Sequence, residues 1–151
     1  MTSPSPYIER KILMNLNVII RVPTVEEYNA LRRSVEWPVF EDHIVRDAFS
    51  RTLFSVCVED GTGVVAGMGR ILGDNAIYLH IQDVIVDPRY QGQGVGKMIM
   101  VELMKYIEKA GTKNTNIGLM CSKGREKFYK GFGFVERPSE KFGAGMIKIK
   151  E

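Results

Sequence analysis

Hydrophobic and polar residues repeat with two different periods along the chain, and the changes of period divide it into short elements. Residues 98–108 place apolar side chains every three or four positions, which predicts a long helix that ends at Gly111. Runs rich in β-branched and aromatic residues predict strands. These strands are Asn17–Arg21, Leu53–Glu59, Val64–Leu72, Ala76–Val86 and Ile117–Cys121. Tyr7–Ile12 is either a short edge strand or part of the N-terminal tail.

Two further helices are predicted between the first and second strands. Thr24 and Glu27 have the spacing of a capping box, which marks the start of the first of them, and Trp37-Pro38 ends it. Phe40–Ser50 is the second, with Phe40, Ile44 and Val45 among the residues predicted to point inward.

The C-terminal third continues with smaller elements. Gly124–Lys130 is predicted as a short helix, Phe134–Glu136 and Gly145–Ile149 as a final antiparallel pair, and Arg137–Met146 as a surface hairpin. Strands clustered first, followed by strand, helix, strand and helix, predict an α/β fold with a mixed, mostly antiparallel sheet. We expect an N-terminal tail or edge segment over residues 1–16 and one domain over residues 17–151.

Composition narrows the class of protein. The 151 residues are 44% hydrophobic and carry a formal net charge of +3, which is ordinary for a globular domain and does not suggest nucleic acid. No apolar run reaches the ~20 residues of a membrane span, and the N-terminus lacks the layout of a signal peptide. Cys57 and Cys121 lack metal-binding spacing and are predicted to be free thiols in a reducing cytoplasm.

A glycine-rich loop between a strand and a helix is the main chemical signal. Gly92, Gly94 and Gly96 follow the strand that Asp87-Pro88 ends. Glycines let the backbone approach a phosphate, and the first turn of a helix offers unpaired N–H groups to it. The loop matches neither the P-loop, since Met98 follows Lys97 where a hydroxyl is required, nor the dinucleotide fingerprint, since its glycines read G-x-G-x-G.

Two separate motifs resemble the GCN5-related N-acetyltransferase (GNAT) superfamily. Residues 86–92, VDPRYQG, and the loop after them resemble the pyrophosphate-binding segment of that family. Residues 128–134, FYKGFGF, resemble its distal tyrosine motif, in the same order along the chain. The resemblance implies the GNAT fold, with the sheet splayed at an acetyl-CoA site and helices on both faces.

The resemblance also implies a set of acetyl-CoA contacts. The backbone of the strand end would pair with the pantetheine arm, and the loop would hold the pyrophosphate, with Arg89 or Lys97 supplying the charge that Gln91 lacks. Ser122 stands where the family often has asparagine against the same arm. The cofactor-binding residues predicted in this way are Val84, Ile85, Val86, Gln91, Gly92, Gln93, Gly94, Val95, Gly96, Lys97, Ser122 and Tyr129.

Two residues are predicted to be catalytic. Tyr129 stands at the position of the family's tyrosine, whose phenol can protonate a leaving thiolate. His80 lies six positions before Val86, where related enzymes carry a glutamate or a histidine, and an imidazole suits deprotonation of an amine near neutral pH. Simple alternation groups His80 with Gln82, Val84 and Val86, whereas a bulge would bring Asp83 across. Asp83 is either a base or a structural partner of Arg70 or Arg89.

The resemblance implies an acetyl-CoA-dependent N-acetyltransferase of the compact, aralkylamine-like type. It would act on the primary amine of a small molecule by direct attack in a ternary complex, without a metal. Trp37 and Phe40 either close the core or contact the acceptor. Two alternatives stay open, a non-catalytic acyl-CoA sensor and a protein or peptide N-acetyltransferase. We expect a homodimer that interacts with neither nucleic acid nor membrane.

Overall fold

The computed structural model describes residues 5–6 and 15–151 of the chain. These residues form two compact units, the first ending at Gly118 and the second comprising Leu119–Glu151. The alternatives for Tyr7–Ile12 lie outside the described residues, and the single domain expected over residues 17–151 stays a prediction. Among the described helices, none combines the length and apolar character that crossing a bilayer requires.

A five-stranded sheet in the order β1-β2-β3-β4-β5 forms the centre of the first unit. Its strands are β1 (Asn17–Ile19), β2 (Phe54–Glu59), β3 (Val65–Gly73), β4 (Tyr78–Val86) and β5 (Asn116–Leu119). The first four strands form antiparallel pairs, β1 with β2, β2 with β3 and β3 with β4. β5 is reached from β4 through a helical crossover, and the N–H of Asn116 donates to the carbonyl of Ile77 at 2.8 Å. The predicted mixed, mostly antiparallel sheet is therefore confirmed.

The first strand is shorter than predicted because the chain turns towards a helix after Ile19. The guanidinium of Arg21 donates to Glu27 at 2.7 Å and to Glu59 at 2.6 Å, which ties this turn to the following helix and to β2. Arg21 therefore serves as a cross-link between elements instead of extending the ladder.

Between residues 15 and 118, the α-helices of the first unit are α1 (Val25–Ser34), α2 (Asp42–Ser50) and α3 (Val95–Ala110). The capping box at α1 is confirmed, with Thr24 and Glu27 exchanging hydrogen bonds of 3.1 and 2.8 Å. α2 begins at Asp42 because the side-chain amide of Asn29 holds the carbonyl of Phe40 in the preceding loop, at 3.1 Å. Phe40 and Ile44 are 48% and 45% exposed, so the prediction that they point inward is wrong.

The sheet is covered by helices on both faces, as predicted. A methyl group added at Gly69 would lie 2.6 Å from Ile99, so α3 rests directly on the backbone of β3. Met68 points the opposite way into a core shared with Tyr28 of α1 and Val45 of α2. The alternation of β3 thus divides the core into two layers.

The second unit holds one short helix, α4 (Glu126–Lys130), where one was predicted. Within the second unit no residue after α4 is in a strand, so the strands predicted at Phe134–Glu136 and Gly145–Ile149 are wrong. A strand is stable only when its backbone is paired and one face is buried. The apolar side chains of these segments are instead largely exposed: Val135 68%, Met146 92%, Ile147 76% and Ile149 74%.

Candidate functional site

The turn after β4 is held by Asp87. Its carboxylate accepts hydrogen bonds from the backbone N–H of Arg89 at 2.9 Å and from the guanidinium of Arg89, also at 2.9 Å. The Arg89 guanidinium holds the pKa of Asp87 below its ordinary value, against the opposing effect of burial. Because this ion pair neutralises Arg89, Lys97 is the better of the two predicted sources of charge for a phosphate. Lys97 is exposed in the first turn of α3.

Tyr90 anchors the start of the glycine loop. Its side chain is 2% exposed, and its hydroxyl donates to Asp60 at 2.5 Å, in the turn between β2 and β3. Burial, together with the hydrogen bond to Asp60, raises the pKa of Tyr90 to about 12, so the phenol stays protonated and remains a donor. The hairpin and the loop are therefore joined by a buried polar contact.

The loop itself offers backbone donors and open space. Gly92 and Gly94 have φ angles of +78° and +82°, and a methyl group added at either would meet no heavy atom within 4 Å. Gly94 is the N-cap of α3, and no side chain caps this helix end. The first N–H groups of α3 are thus left for a ligand. This cradle fits a diphosphate such as that of CoA.

The loop is also held by the side chains of its non-glycine residues. The amide of Gln91 donates to the carbonyl of Val86 at 3.3 Å, and that of Gln93 donates to the carbonyl of Arg89 at 3.5 Å. Val95 is 1% exposed and packs into the core, so it can contact a ligand only through its backbone. The predicted loop residues therefore lie together in one segment, with Lys97 and Gly96 in the first turn of α3.

The end of β4 lies next to this loop. Val86 pairs with Gly67 and Ile85 pairs with Met68 across the antiparallel ladder to β3. The Ile85 side chain is 2% exposed, so this residue too is limited to backbone contacts with a ligand. β5 passes from the first unit into the second at Gly118, and the splay predicted beside Val84–Val86 stays a prediction.

A β-bulge interrupts β4 and reorganises its faces. Between the pairs Met68–Ile85 and Arg70–Gln82, β3 advances by two residues and β4 by three. The additional residue lies at Asp83, whose φ is +53°. Val84 consequently lies on the α3 face, 3.5 Å from the position of a methyl group added at Gly69. Simple alternation, which groups His80 and Gln82 with Val84 and Val86, is wrong, and the bulge brings Asp83 across.

Asp83 is the centre of a buried ionic network. Its carboxylate is 2% exposed and accepts from Arg70 at 2.7 Å, from Tyr28 at 2.9 Å and from Arg32 at 3.4 Å. Burial, followed by the charge of Asp83, raises the pKa of Tyr28. Arg70, not Arg89, is thus the partner of Asp83. Two guanidinium groups and a phenol thus occupy this carboxylate.

Arg32 extends this network to the loop between α1 and α2. Its guanidinium lies 5.5 Å from the ring centre of Tyr28, 5.4 Å from that of Trp37 and 5.0 Å from that of Phe40. Its Nε also donates to the carbonyl of Pro38. Trp37 is half-buried and Phe40 exposed, so this loop presents an aromatic surface on a fixed support.

His80 is half-buried on β4, on the face that also carries Gln82 and Arg70. Its Nε2 lies 3.1 Å from Oε1 of Gln82. Its Nδ1 lies 3.5 Å from the position of a methyl group added at Gly118 of β5, so the absence of a side chain there leaves this nitrogen room. Arg70 and Asp83, charged residues on the same face, are bound to each other, whereas the imidazole contacts the neutral amide of Gln82.

The second unit carries the other two predicted residues. Tyr129 lies in α4 with its ring 5.0 Å from that of Phe128 and 6.4 Å from that of Phe134. Burial raises the pKa of Tyr129, and its hydroxyl makes no hydrogen bond among the described residues. Ser122 is exposed, and its carbonyl accepts from the N–H of Arg125 at 3.0 Å just before α4.

Sequence reasoning did not identify Arg32, Tyr28 or Asp60 as parts of the site. Their contacts with residues far along the chain carry no local signature. Only the pairing of Asp83 with an arginine was predicted, with Arg70 and Arg89 as alternatives, and the structure shows Arg70.

Comparison with known proteins agrees with the geometry. Residues 29–150 match the family model described as an acetyltransferase (GNAT) domain. A solved structure from meticillin-resistant Staphylococcus aureus, described as a protein of unknown function and probable acetyltransferase, is 30% identical with a TM-score of 0.82. The alignment covers 90% of this chain and 99% of that chain.

Curated plant relatives match a shorter region. GCN5-related N-acetyltransferase 2, chloroplastic, of Arabidopsis thaliana is 38% identical over 72 residues, and so is histone acetyltransferase TAP1 of Glycine max. Each match covers 48% of this chain, but only 27% and 30% of the two relatives. The matched region thus spans less than a third of the length of either plant protein.

Proposed function

Since this chain belongs to the GNAT family of acetyltransferases, we propose that it is an acetyl-CoA-dependent N-acetyltransferase for the primary amine of a small molecule. Acetyl-CoA, when bound, supplies an activated acetyl thioester. The chain then needs to hold the cosubstrate, place the acceptor and move two protons. The residues described above are suited to each of these tasks.

The observation that carries the proposal is the uncapped helix end at Gly94. Two glycines with positive φ face open space there, and the N–H groups of the first turn of α3 have no side-chain cap. Backbone donors at the positive end of a helix dipole favour a diphosphate. Tyr90 and Gln91 hold the loop against the body of the first unit, so it is ordered before a ligand arrives.

A base is needed because only the neutral amine attacks the acetyl carbon. We assign this role to His80, which is half-buried and has one ring nitrogen beside the glycine of β5. Asp83 is excluded as the base because its carboxylate is committed to Arg70, Arg32 and Tyr28. The proton that leaves the amine passes to the imidazole, either directly or through one water.

An acid is needed for the thiolate that leaves. We assign this role to Tyr129 on the strength of the FYKGFGF motif. Its raised pKa keeps the phenol protonated at neutral pH, and its hydroxyl has no competing hydrogen bond among the described residues. The phenol can therefore donate its proton and recover it from solvent.

The proposal includes the oligomeric state and the cellular compartment of the enzyme. We propose a homodimer in a reducing cytoplasm, a compartment supported by the free thiols of Cys57 and Cys121. Sedimentation equilibrium measures the dimer, and fractionation of the native source tests the compartment.

The decisive experiment measures the release of free thiol from acetyl-CoA with a panel of arylalkylamines, polyamines, amino sugars and a lysine peptide. We expect turnover with one class of small amine, and calorimetric binding of CoA without any amine. Binding without turnover on the whole panel would favour the acyl-CoA sensor. Turnover with the lysine peptide alone would favour the protein acetyltransferase.

A matched pair of variants tests the phosphate cradle. Gly94→Leu and Gly63→Leu both place a side chain on a glycine with φ near +80° and open surroundings, so the backbone strain is similar. Only Gly94 lies in the loop. We expect Gly94→Leu to weaken CoA binding at least about 100-fold, a loss of ~2.7 kcal/mol, and Gly63→Leu to retain it. Equal affinities in calorimetry would refute the assignment of the loop.

A further inference from the structure

We propose that Gln82 is a positioning residue that holds the imidazole of His80 in one tautomer, with Nε2 protonated and Nδ1 free to accept a proton. The inference rests on the proposed function for its catalytic part only. The tautomer itself is a property of the folded chain and can be measured without any turnover.

The first step is the contact between the two side chains. The Nε2 of His80 lies 3.1 Å from Oε1 of Gln82, an amide oxygen that can only accept. The ring nitrogen facing it therefore carries the hydrogen, and in a neutral imidazole the other nitrogen then has the lone pair. That other nitrogen is Nδ1.

The second step is the position of Nδ1. A methyl group added at Gly118 would lie 3.5 Å from it, at ordinary contact distance, so the glycine keeps one side of this nitrogen clear. When the amine loses its proton, its N–H bond breaks, an N–H bond forms at Nδ1 and the imidazole becomes a cation. The Nε2–H···O hydrogen bond then becomes charge-assisted and stronger, which favours the transfer.

The third step is the backbone that brings the two side chains together. His80 and Gln82 are two residues apart on the same face of β4, opposite Leu72 and Arg70 of β3. The bulge at Asp83 follows directly, and it turns the neighbouring acid towards Arg70 and towards Arg32 of α1. The charges that face this part of the strand are thus paired, and the neutral amide of Gln82 is the group bound to the ring.

The tautomer is read directly by NMR of the full chain labelled with ¹⁵N-histidine. The protein has two histidines, and His43 is an exposed residue that a His43→Gln variant removes from the spectrum. We expect the long-range correlations of His80 to show Nε2–H in the wild type and a mixture of tautomers in Gln82→Ala. A wild-type ring protonated at Nδ1 would overturn the proposal, whatever the activity.

The contribution of Gln82 to catalysis is measured from kcat and from the pH dependence of kcat/KM, with the amine of the panel that is turned over fastest. We expect Gln82→Ala to lower kcat about ten-fold with an unchanged KM for acetyl-CoA, less than the ~10²-fold loss expected for His80→Ala. Gln82→Glu should move the acidic limb of the kcat/KM profile to higher pH, because a carboxylate favours the imidazolium. His43→Gln should leave all of these unchanged.

The Gly118→Ala variant distinguishes the effect of access to Nδ1 of His80 from the effect of the ring's tautomer. The added methyl fits at 3.5 Å, so the fold and the Nε2–H tautomer should be retained, while kcat falls because Nδ1 is obstructed. An Nε2–H tautomer in the wild type combined with wild-type kcat and pH profile in Gln82→Ala would overturn the positioning role. Absence of turnover with every amine would refute the proposed function, and the NMR result would still decide the orientation of His80.

Discussion

Asp83 shows how a single residue combines strain and charge in this protein. It adopts a positive φ at the bulge, and its carboxylate, 2% exposed, binds Arg70 and Arg32. Positive φ in a residue other than glycine is unfavourable and persists where surrounding contacts compensate for it. Here the contacts that compensate are ionic and join the sheet to α1.

Removal of this carboxylate should be costly. Asp83→Ala leaves two largely buried guanidinium groups without their counter-charge, and we expect the free energy of unfolding to fall by about 3 kcal/mol. Asp47→Ala is the control, because its ion pair with Arg51 is exposed on α2 and should contribute less than about 1 kcal/mol. Urea unfolding of both variants makes the comparison. Equal losses would show that the Asp83 network does not stabilise the fold.

The role proposed for Tyr129 can be isolated by substitution with phenylalanine. The aromatic packing against Phe128 and Phe134 is kept in Tyr129→Phe, and only the hydroxyl is lost. We expect kcat to fall ~10²-fold, with CoA affinity and thermal stability close to wild type. Steady-state kinetics and calorimetry measure the two quantities. Unchanged kcat would remove the phenol from the mechanism.

At the scale of elements, the close contact between β3 and α3 depends on Gly69 of β3, which has no side chain. A methyl group added at Gly69 would lie 2.6 Å from Cγ2 of Ile99 and 2.9 Å from Cδ1 of Leu103. The helix that carries the proposed phosphate cradle is thereby held close to β3.

Gly69→Ala should therefore push α3 away from the sheet. We expect a loss of about 1–3 kcal/mol in the free energy of unfolding, as for other overpacked cores, together with weaker CoA binding. Gly143→Ala is the control, since a methyl group there meets no atom within 4 Å. Chemical unfolding and calorimetry test both variants. A Gly69→Ala protein as stable as Gly143→Ala would contradict the close packing.

Local sequence signals explain which elements were predictable. The capping box at Thr24 and the period of α3 act over a few residues, so both helices could be predicted. The bulge at Asp83 depends on the register of β3 against β4, so the sequence could offer it only as an alternative to regular alternation along β4. The strands expected at Phe134–Glu136 and Gly145–Ile149 have suitable side chains, but strand formation also requires a partner that composition does not reveal.

The same distinction holds for the candidate site. The glycine loop was predicted from its residues and Tyr129 from the resemblance of its motif to that of the family, and both belong to contiguous segments. Arg32 and Asp60 act on residues 51 and 30 positions away, respectively, and such contacts are fixed only by the assembled fold.

At the scale of the whole molecule, paired carboxylates make stability depend on pH. Arg21 lowers the pKa of Glu27, and Arg89 lowers that of Asp87. Burial alone would raise the pKa of Asp60, but hydrogen bonds from Thr62, Tyr90 and Val64 outweigh it and lower the pKa. In each case the unfolded chain binds protons more readily than the folded one in the acid range.

The sign of the effect follows from this difference. Stability from these groups is fully present above the ordinary carboxyl pKa of ~4 and is lost as the pH falls through the lower folded values. We expect the free energy of unfolding to decrease from pH 6 to pH 3, with a smaller decrease in Asp60→Asn. Urea titrations across this range measure both slopes. A flat profile in the wild type would contradict the pairing of these acids.

The bulge in β4 also affects how relatives of this protein should be compared. Because β4 contains one residue more than β3 between matching pairs, positions before and after Asp83 are out of phase. Deleting Asp83 would restore regular alternation and would leave the imidazole of His80 and the strand end at Val86 on their present sides of the sheet, because β4 would then advance by two residues between these pairs, as β3 does. A relative without the bulge should therefore be aligned with a one-residue gap at Asp83, because an ungapped alignment would pair residues of opposite orientation on one side of it.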